Sequence, residues 1–357
     1  MKINFTPGPS QLYFTVENHL RQAIRENIGS LSHRSKEFES ISREATQGLR
    51  ELLSIPKDFH IFFTSSATEI WERSIQNLVE HESLHLVNGA FSNRYHEIAT
   101  QLNKVATKVE VAKGRGFESI QIPTGAELIA VTHNETSTGV SLPLDFIHQL
   151  REKNEKAFII VDAVSSLPYP QFDYSKVDSV FFSVQKGFGL PAGLGVWIAN
   201  DRCIAKAESL QSKGISIGTY HSLLTLLANA KKDQTPETPN VIGIYLLGKV
   251  VTDMLNKGII AIRSETEYKA AILYQALESN KWMKPFVSET KFQSKTVIVA
   301  DCGLHTGKIT EILQSKGLYP GEGYGDLKKS QLRFANFPTH SKEQFEFLVD
   351  TLAQIND

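Results

Sequence analysis

Asp162 directly follows the apolar run Phe158-Ile159-Ile160-Val161, and Lys186 closes the run Val180-Phe181-Phe182-Ser183-Val184-Gln185, 24 residues later. Both read as charged groups delivered to the rim of a sheet, where the ligands of open parallel sheets gather. A carboxylate leaving a buried strand needs a cation or several donors, because an unpaired buried charge is costly; a structural Asp capping a loop is the other reading. Beyond Lys186, the glycines of Gly187-Phe188-Gly189-Leu190-Pro191-Ala192-Gly193-Leu194-Gly195 let the backbone approach a ligand closely. Taken alone, the lysine reads equally as an ordinary strand-end group in solvent. Thr64-Ser65-Ser66-Ala67-Thr68 leaves another apolar strand and opens a helical pattern, offering either an anion site on unsatisfied N–H groups or a plain Ser/Thr cap. An amine for a Schiff base, a carboxylate to keep a pyridine nitrogen protonated and an anion cradle together meet the demands of pyridoxal phosphate chemistry.

The elements that must position these groups are legible as an alternation. Short apolar or β-branched runs at 61–63, 84–87, 105–111, 128–131, 158–161, 179–184 and 196–198 are interleaved with helical patterns over 68–79, 93–103 and 142–152. That order predicts an α/β architecture, a mostly parallel sheet between helices, and the continuous apolar runs imply burial on both faces. A helix is expected over 203–212, followed by a Gly-rich turn and a polar, Pro-containing linker at 231–240. Helices over 241–256, 263–278, 306–316 and 341–355, with strands at 296–300 and 332–335, predict a smaller α+β C-terminal domain. The expected division is a large cofactor-binding domain at 12–240 and a small domain at 241–357, with residues 1–11 packing against the latter.

A chain of 357 residues suits two such domains. With 41% hydrophobic and 22% charged residues, disorder and collagen-like repeats are excluded. The 38 basic side chains against 39 acidic ones leave no global field for nucleic acid or an anionic membrane, so the expected partner is a small molecule. Two cysteines, Cys203 and Cys302, make no disulfide framework and suit a reducing compartment. The N-terminus lacks the apolar core of a leader, and the longest apolar stretch, 241–251, is interrupted and short, so a cytoplasmic protein is expected. Two signatures mislead. His81-Glu82-Ser83-Leu84-His85 spells a zinc-protease motif, but His85 falls in a strand pattern. Ser183-Val184-Gln185-Lys186 spells SxxK, but it follows a strand and lacks its companion motifs. No metal is expected.

The stretches Ser32-His33-Arg34-Ser35-Lys36-Glu37-Phe38, Val87-Asn88-Gly89-Ala90-Phe91, His133-Asn134-Glu135-Thr136, Asp162-Ala163-Val164-Ser165-Ser166, Ser183-Val184-Gln185-Lys186-Gly187 and Thr235-Pro236-Glu237-Thr238 occur in one order along the chain. In these the sequence resembles the class V aminotransferases of pyridoxal phosphate fold type I, in their phosphoserine aminotransferase branch, over nearly its whole length. The resemblance implies that Lys186 forms the Schiff base and shuttles the substrate proton, and that Asp162 partners the pyridine nitrogen. It implies Phe91 stacked on the ring, where the branch often has Trp, and Thr136 bonded to the 3′ oxygen. Gln185 and the backbone of Ser66, Ala67 and Thr68 would hold the phosphate, and Thr235 would be lent by a neighbouring subunit, hence a homodimer with shared active sites. His33 and Arg34 would bind a substrate phosphate and Arg333 the amino-acid carboxylate. The implied reaction interconverts O-phosphoserine plus 2-oxoglutarate with 3-phosphohydroxypyruvate plus glutamate, in serine biosynthesis. Two departures stand out. The branch's second His-Arg pair is replaced by Gly325-Asp326-Leu327-Lys328-Lys329, where Lys328 and Lys329 are the candidates to supply the charge, and its Gly-Gly-Arg by Ser66-Ala67-Thr68. They keep open an alternative, a serine or alanine transaminase acting on pyruvate or glyoxylate. A cysteine desulfurase, which shares the fold, needs a reactive loop cysteine, whereas Cys302 follows a strand pattern.

Overall fold

Strands rich in Val, Ile and Phe form the centre of the structure, a computed structural model that describes residues 2–356. Seven of them make one sheet in the order Phe59–Thr64, Gly195–Asn200, Ser179–Ser183, Phe158–Asp162, Leu128–Thr132, Glu82–Val87 and Val105–Glu110. Neighbours are parallel except at Gly195–Asn200, which runs antiparallel to both strands beside it. The connection 184–194 carries no helix, so the chain turns back on itself instead of crossing over.

The twofold alternation of side chains along a strand explains the continuous apolar runs. Ile129, Val131, Ile159, Val161, Val180 and Phe182 pack on one face against helices Lys36–Leu52 and Val241–Lys257. Leu128, Ala130, Ile160, Phe181 and Trp197 pack on the other, against Ala67–Leu78, Ala90–Gln101 and Asp201–Ser212. Asp178, 1% exposed, pins the edge from which the central strands start. Its carboxylate pairs with Arg151 and, at 2.6 Å, with Arg202, and it accepts from the Ile159 N–H at 2.8 Å and Asn200 Nδ2 at 3.1 Å.

A second sheet has the order Ile3–Phe5, Leu318–Glu322, Gln331–Ala335, Val297–Asp301 and Lys284–Pro285. Ile3–Phe5 lies parallel to Leu318–Glu322, so the N-terminal segment enters the C-terminal sheet. Helices Ile259–Ser279, Thr306–Ser315 and Lys342–Ala353 share that sheet's core. The mostly parallel α/β reading holds, with several elements unannounced by the sequence pattern: helices Val16–Arg25, Lys36–Leu52 and Leu223–Ala230, and strands Ile3–Phe5 and Leu318–Glu322. Helix Val241–Lys257, grouped by sequence with the C-terminal part, packs into the core of the large sheet. Ten of its residues are buried, and Lys249, Thr252, Asp253 and Asn256 mark the side turned away, so the sequence showed a buried face without saying which core it enters. His85 lies buried in strand Glu82–Val87, its Nε2 2.9 Å from Ser83 Oγ, so His81 and His85 share no helix face. Among the described residues no helix is long and apolar enough to cross a membrane.

Candidate active site

Asp162 ends its strand and Lys186 lies in the turn after the neighbouring one. Both face a cavity of about 210 Å³ at the carboxyl ends of the parallel strands. Ser66, Ala67, Thr68, Phe91, Thr136 and Gln185 line the same cavity, so eight residues expected from sequence meet there.

The electrostatics of the pair follow from burial. Asp162 is raised to about 6 chiefly by desolvation, which outweighs the N–H groups of Val164, 2.9 Å from Oδ1, and Trp71, 2.8 Å from Oδ2. Glu135 raises it further, and Lys186 lowers it. Lys186 is lowered to about 8 by burial and then by Arg333, against the pull of Asp162 and Glu135. Its Nζ donates to the Pro7 carbonyl at 2.8 Å and lies 5.8 Å from the centroid of the Phe91 ring. Gly8 and Pro9 complete this wall. A Cβ on Gly8, whose φ is +148°, would stand 2.6 Å from Nζ, so only glycine lets the N-terminal segment pass so close to the amine.

Phe91 is held by the start of helix Ala90–Gln101. The buried Glu135 carboxylate accepts from the N–H groups of Phe91 at 3.3 Å and Ser92 at 2.9 Å, and from the hydroxyls of Ser92 and Ser137. Gly89 leaves room for it, because a Cβ there would lie 2.4 Å from Glu135 Cγ. Thr136 Oγ1 donates to Ser165 Oγ at 2.8 Å, and the Ala67 N–H to Ser183 Oγ at 2.9 Å. Arg333 reaches the rim: Nη1 donates to the Thr136 carbonyl at 3.2 Å, Nε to that of Glu322 at 2.7 Å, and the guanidinium lies 5.5 Å from the Tyr324 ring. Tyr324 in turn packs 5.1 Å from Phe91.

The other expected residues gather elsewhere. Arg34 donates to Asn229 Oδ1, Gln234 Oε1 and the Pro236 carbonyl, His33 Nδ1 lies 3.4 Å from Thr238 Oγ1, and Thr235 Oγ1 donates to the Glu237 carbonyl. His33, Arg34 and Thr235 thus cluster around residues 229–238, outside their own chain's cavity. Lys328 pairs with Glu322 at 2.9 Å on an exposed surface. Sequence reasoning missed Trp71, Pro7 and Gly8. The available signals were a Trp one turn into the helix opened at Ser66, and the run Pro7-Gly8-Pro9 near the N-terminus.

These residues suit pyridoxal phosphate. The amine and carboxylate share one cavity, an aromatic ring and a helix start border it, and two buried lining atoms, Gln185 Oε1 and Asn134 Oδ1, have no protein partner.

The aminotransferase class-V family model matches residues 4–323. The chain is similar to the crystal structure of a phosphoserine aminotransferase from Cytophaga hutchinsonii, with 52% identity, a TM-score of 0.98, and coverage of 99% of this chain and 98% of that one. Phosphoserine aminotransferase from Rhodococcus opacus is 28% identical over 96% of this chain and 91% of its own. An alanine–glyoxylate aminotransferase from Nostoc, at 20% identity, 99% and 96% coverage and a TM-score of 0.83, shares the fold.

Proposed function

The chain belongs to the class V aminotransferases, enzymes that use pyridoxal phosphate, and on that footing we propose that it interconverts O-phosphoserine plus 2-oxoglutarate with 3-phosphohydroxypyruvate plus glutamate, in serine biosynthesis. The observation that carries the reading is the Lys186 amine and the Asp162 carboxylate buried in one cavity. The similarity to phosphoserine aminotransferases supports the choice of substrate.

Bound pyridoxal phosphate supplies a sink for the electrons left at the substrate α-carbon when its proton departs. Lys186, lowered to about 8, has a usable neutral fraction near neutral pH, so its Nζ can take that proton and return it elsewhere. Asp162 holds the proton on the ring nitrogen, and Trp71 keeps the carboxylate aimed and ionised. Phe91 and Thr136 orient the ring. Gln185 and the helix start at Ser66, Ala67 and Thr68 hold the phosphate. Arg333 takes the substrate carboxylate, fixing which bond at the α-carbon stands ready to break.

His33, Arg34 and Thr235 lie outside their own chain's cavity, which supports a homodimer in which each chain lends this cluster to its neighbour's site. The two cysteines are free and buried, with burial pushing Cys302 up to about 12; that supports a reducing, cytoplasmic setting and disfavours a thiol enzyme.

The test is to purify the protein, record the visible absorbance of the bound cofactor, and add glutamate, O-phosphoserine, serine and alanine separately. Loss of the visible band with glutamate and O-phosphoserine alone is expected. Loss with unphosphorylated serine or alanine overturns the substrate assignment in favour of a transaminase acting on pyruvate or glyoxylate. A chain that sediments as a monomer overturns the shared sites.

A further inference from the structure

Glu69 is an odd neighbour for an anion site. It stands in the first turn of Ala67–Leu78, and its Oε2 accepts from the Ser65 N–H at 2.9 Å and the Ser65 hydroxyl at 2.6 Å. That places a carboxylate beside residues 66–68, the helix start assigned above to the cofactor phosphate. A bare negative charge there would oppose a phosphate dianion and offset the attraction of the helix N-terminus.

The ring of His221 answers that charge. Nδ1 lies 2.5 Å from Glu69 Oε1 and Nε2 lies 2.8 Å from Glu237 Oε2, in a side chain stacked on Tyr220 at 4.0 Å and only 1% exposed. A ring facing a carboxylate at each nitrogen donates from both, as an imidazolium does. Burial opposes the charge, but the bonds to Glu237 and Glu69 outweigh it and raise the imidazole to about 9. Arg73 adds less, since its Nε stands 3.7 Å from Glu69 and makes no hydrogen bond. Glu237 belongs to the segment 235–238, where its carbonyl accepts from Thr235 Oγ1 at 2.7 Å. One ring therefore ties the helix start to the segment carrying Thr235, across 152 residues on one side and 16 on the other.

We propose that His221 is a positioning residue for the cofactor phosphate: held between Glu69 and Glu237, it neutralises the Glu69 carboxylate beside residues 66–68, so that the site accepts a dianion. The proposal rests on the cofactor reading above.

The test is to titrate the apo protein with pyridoxal phosphate and, separately, with pyridoxal, which lacks the phosphate, and to read Kd for each. Wild type, His221→Ala, His221→Gln, Glu69→Gln and the double variant Glu69→Gln/His221→Ala are compared. His221→Ala is expected to weaken pyridoxal phosphate by at least about tenfold and pyridoxal by less than about twofold. His221→Gln, which keeps a donor and loses the charge, behaves alike. The double variant returns to within about threefold of wild type, because the charge to be neutralised is gone. Equal weakening of both ligands, no weakening, or no recovery in the double variant overturns the proposal. If His221→Ala does not fold, the other single variants decide, since Glu69→Gln must then bind pyridoxal phosphate at least as tightly as wild type while His221→Gln binds it more weakly. A wild-type protein that binds neither ligand overturns the cofactor reading instead.

Discussion

Replacing Trp71 with Phe removes one donor from a buried carboxylate and leaves most of the packing in place. The indole N–H lies 2.8 Å from Asp162 Oδ2, and Asp162 is 3% exposed. A hydrogen bond to a buried charge contributes about 1.5–3 kcal/mol, and about 1.4 kcal/mol corresponds to one pH unit in a titration. The donor favours the ionised form, so its loss raises the proton affinity of Asp162 further above the value of about 6 that burial already sets. In the role proposed for Asp162, association of pyridoxal phosphate with the apo protein requires its carboxylate ionised, to hold the ring-nitrogen proton. In the wild type this association should weaken below about pH 6. In Trp71→Phe that acid limb should move up by about one to two pH units. Near pH 7 the variant then binds about two- to tenfold more weakly, and well above the shifted limb it matches wild type within about twofold. The titration of Lys186 is common to both proteins and cancels in their ratio. A ratio of the two Kd values that stays constant with pH, or an acid limb that moves down, refutes the reasoning and leaves Trp71 as packing alone.

Lys186→Ala should abolish the visible band of the bound cofactor and lower turnover by at least about 10²–10⁴-fold while the chain stays folded, since the amine's hydrogen bond is to the single Pro7 carbonyl; a retained band with full turnover sinks the assignment. Asp178→Ala should cost about 3–5 kcal/mol in urea unfolding of the apo protein, because it strands Arg151 and Arg202 and frees the Ile159 N–H at the start of the strand that carries Asp162. A loss below about 1 kcal/mol would contradict that account. The stability of the apo protein should also depend on pH through His221 and Glu69. The His221 contribution is whole below its unfolded value of about 6.5 and is lost as pH rises through about 9; that of Glu69, carried down to about 2 by His221 and Ser65 against burial, is whole above about 4.5 and lost as pH falls through about 2. Denaturation of wild type and His221→Gln should therefore converge above about pH 9, and a gap that does not narrow there contradicts the assignment.

How much of this was legible in the sequence depended on how far each contact reaches along the chain. Asp162, Lys186 and the start of helix Ala67–Leu78 announced themselves because each is a polar group at the end of an apolar strand, a local signal of position and chemistry at once. Strand direction carries no such signal, so the antiparallel Gly195–Asn200 read like its parallel neighbours. Leu318–Glu322 was hidden by Pro320 and Gly321, which argue against a strand when no pairing partner is known. The contacts that tune the site were the least visible: Trp71 meets Asp162 across 91 residues, His221 meets Glu69 across 152, and Lys186 meets the Pro7 carbonyl across 179. The last is a main-chain group that any residue could have supplied, so residue type could not betray it. Local sequence thus names the groups proposed to react, whereas their protonation states are set by long-range closures that only the fold brings about. Substitutions at Trp71 and His221 should accordingly move pH profiles and phosphate selectivity, whereas substitutions at Lys186 should remove the chemistry itself.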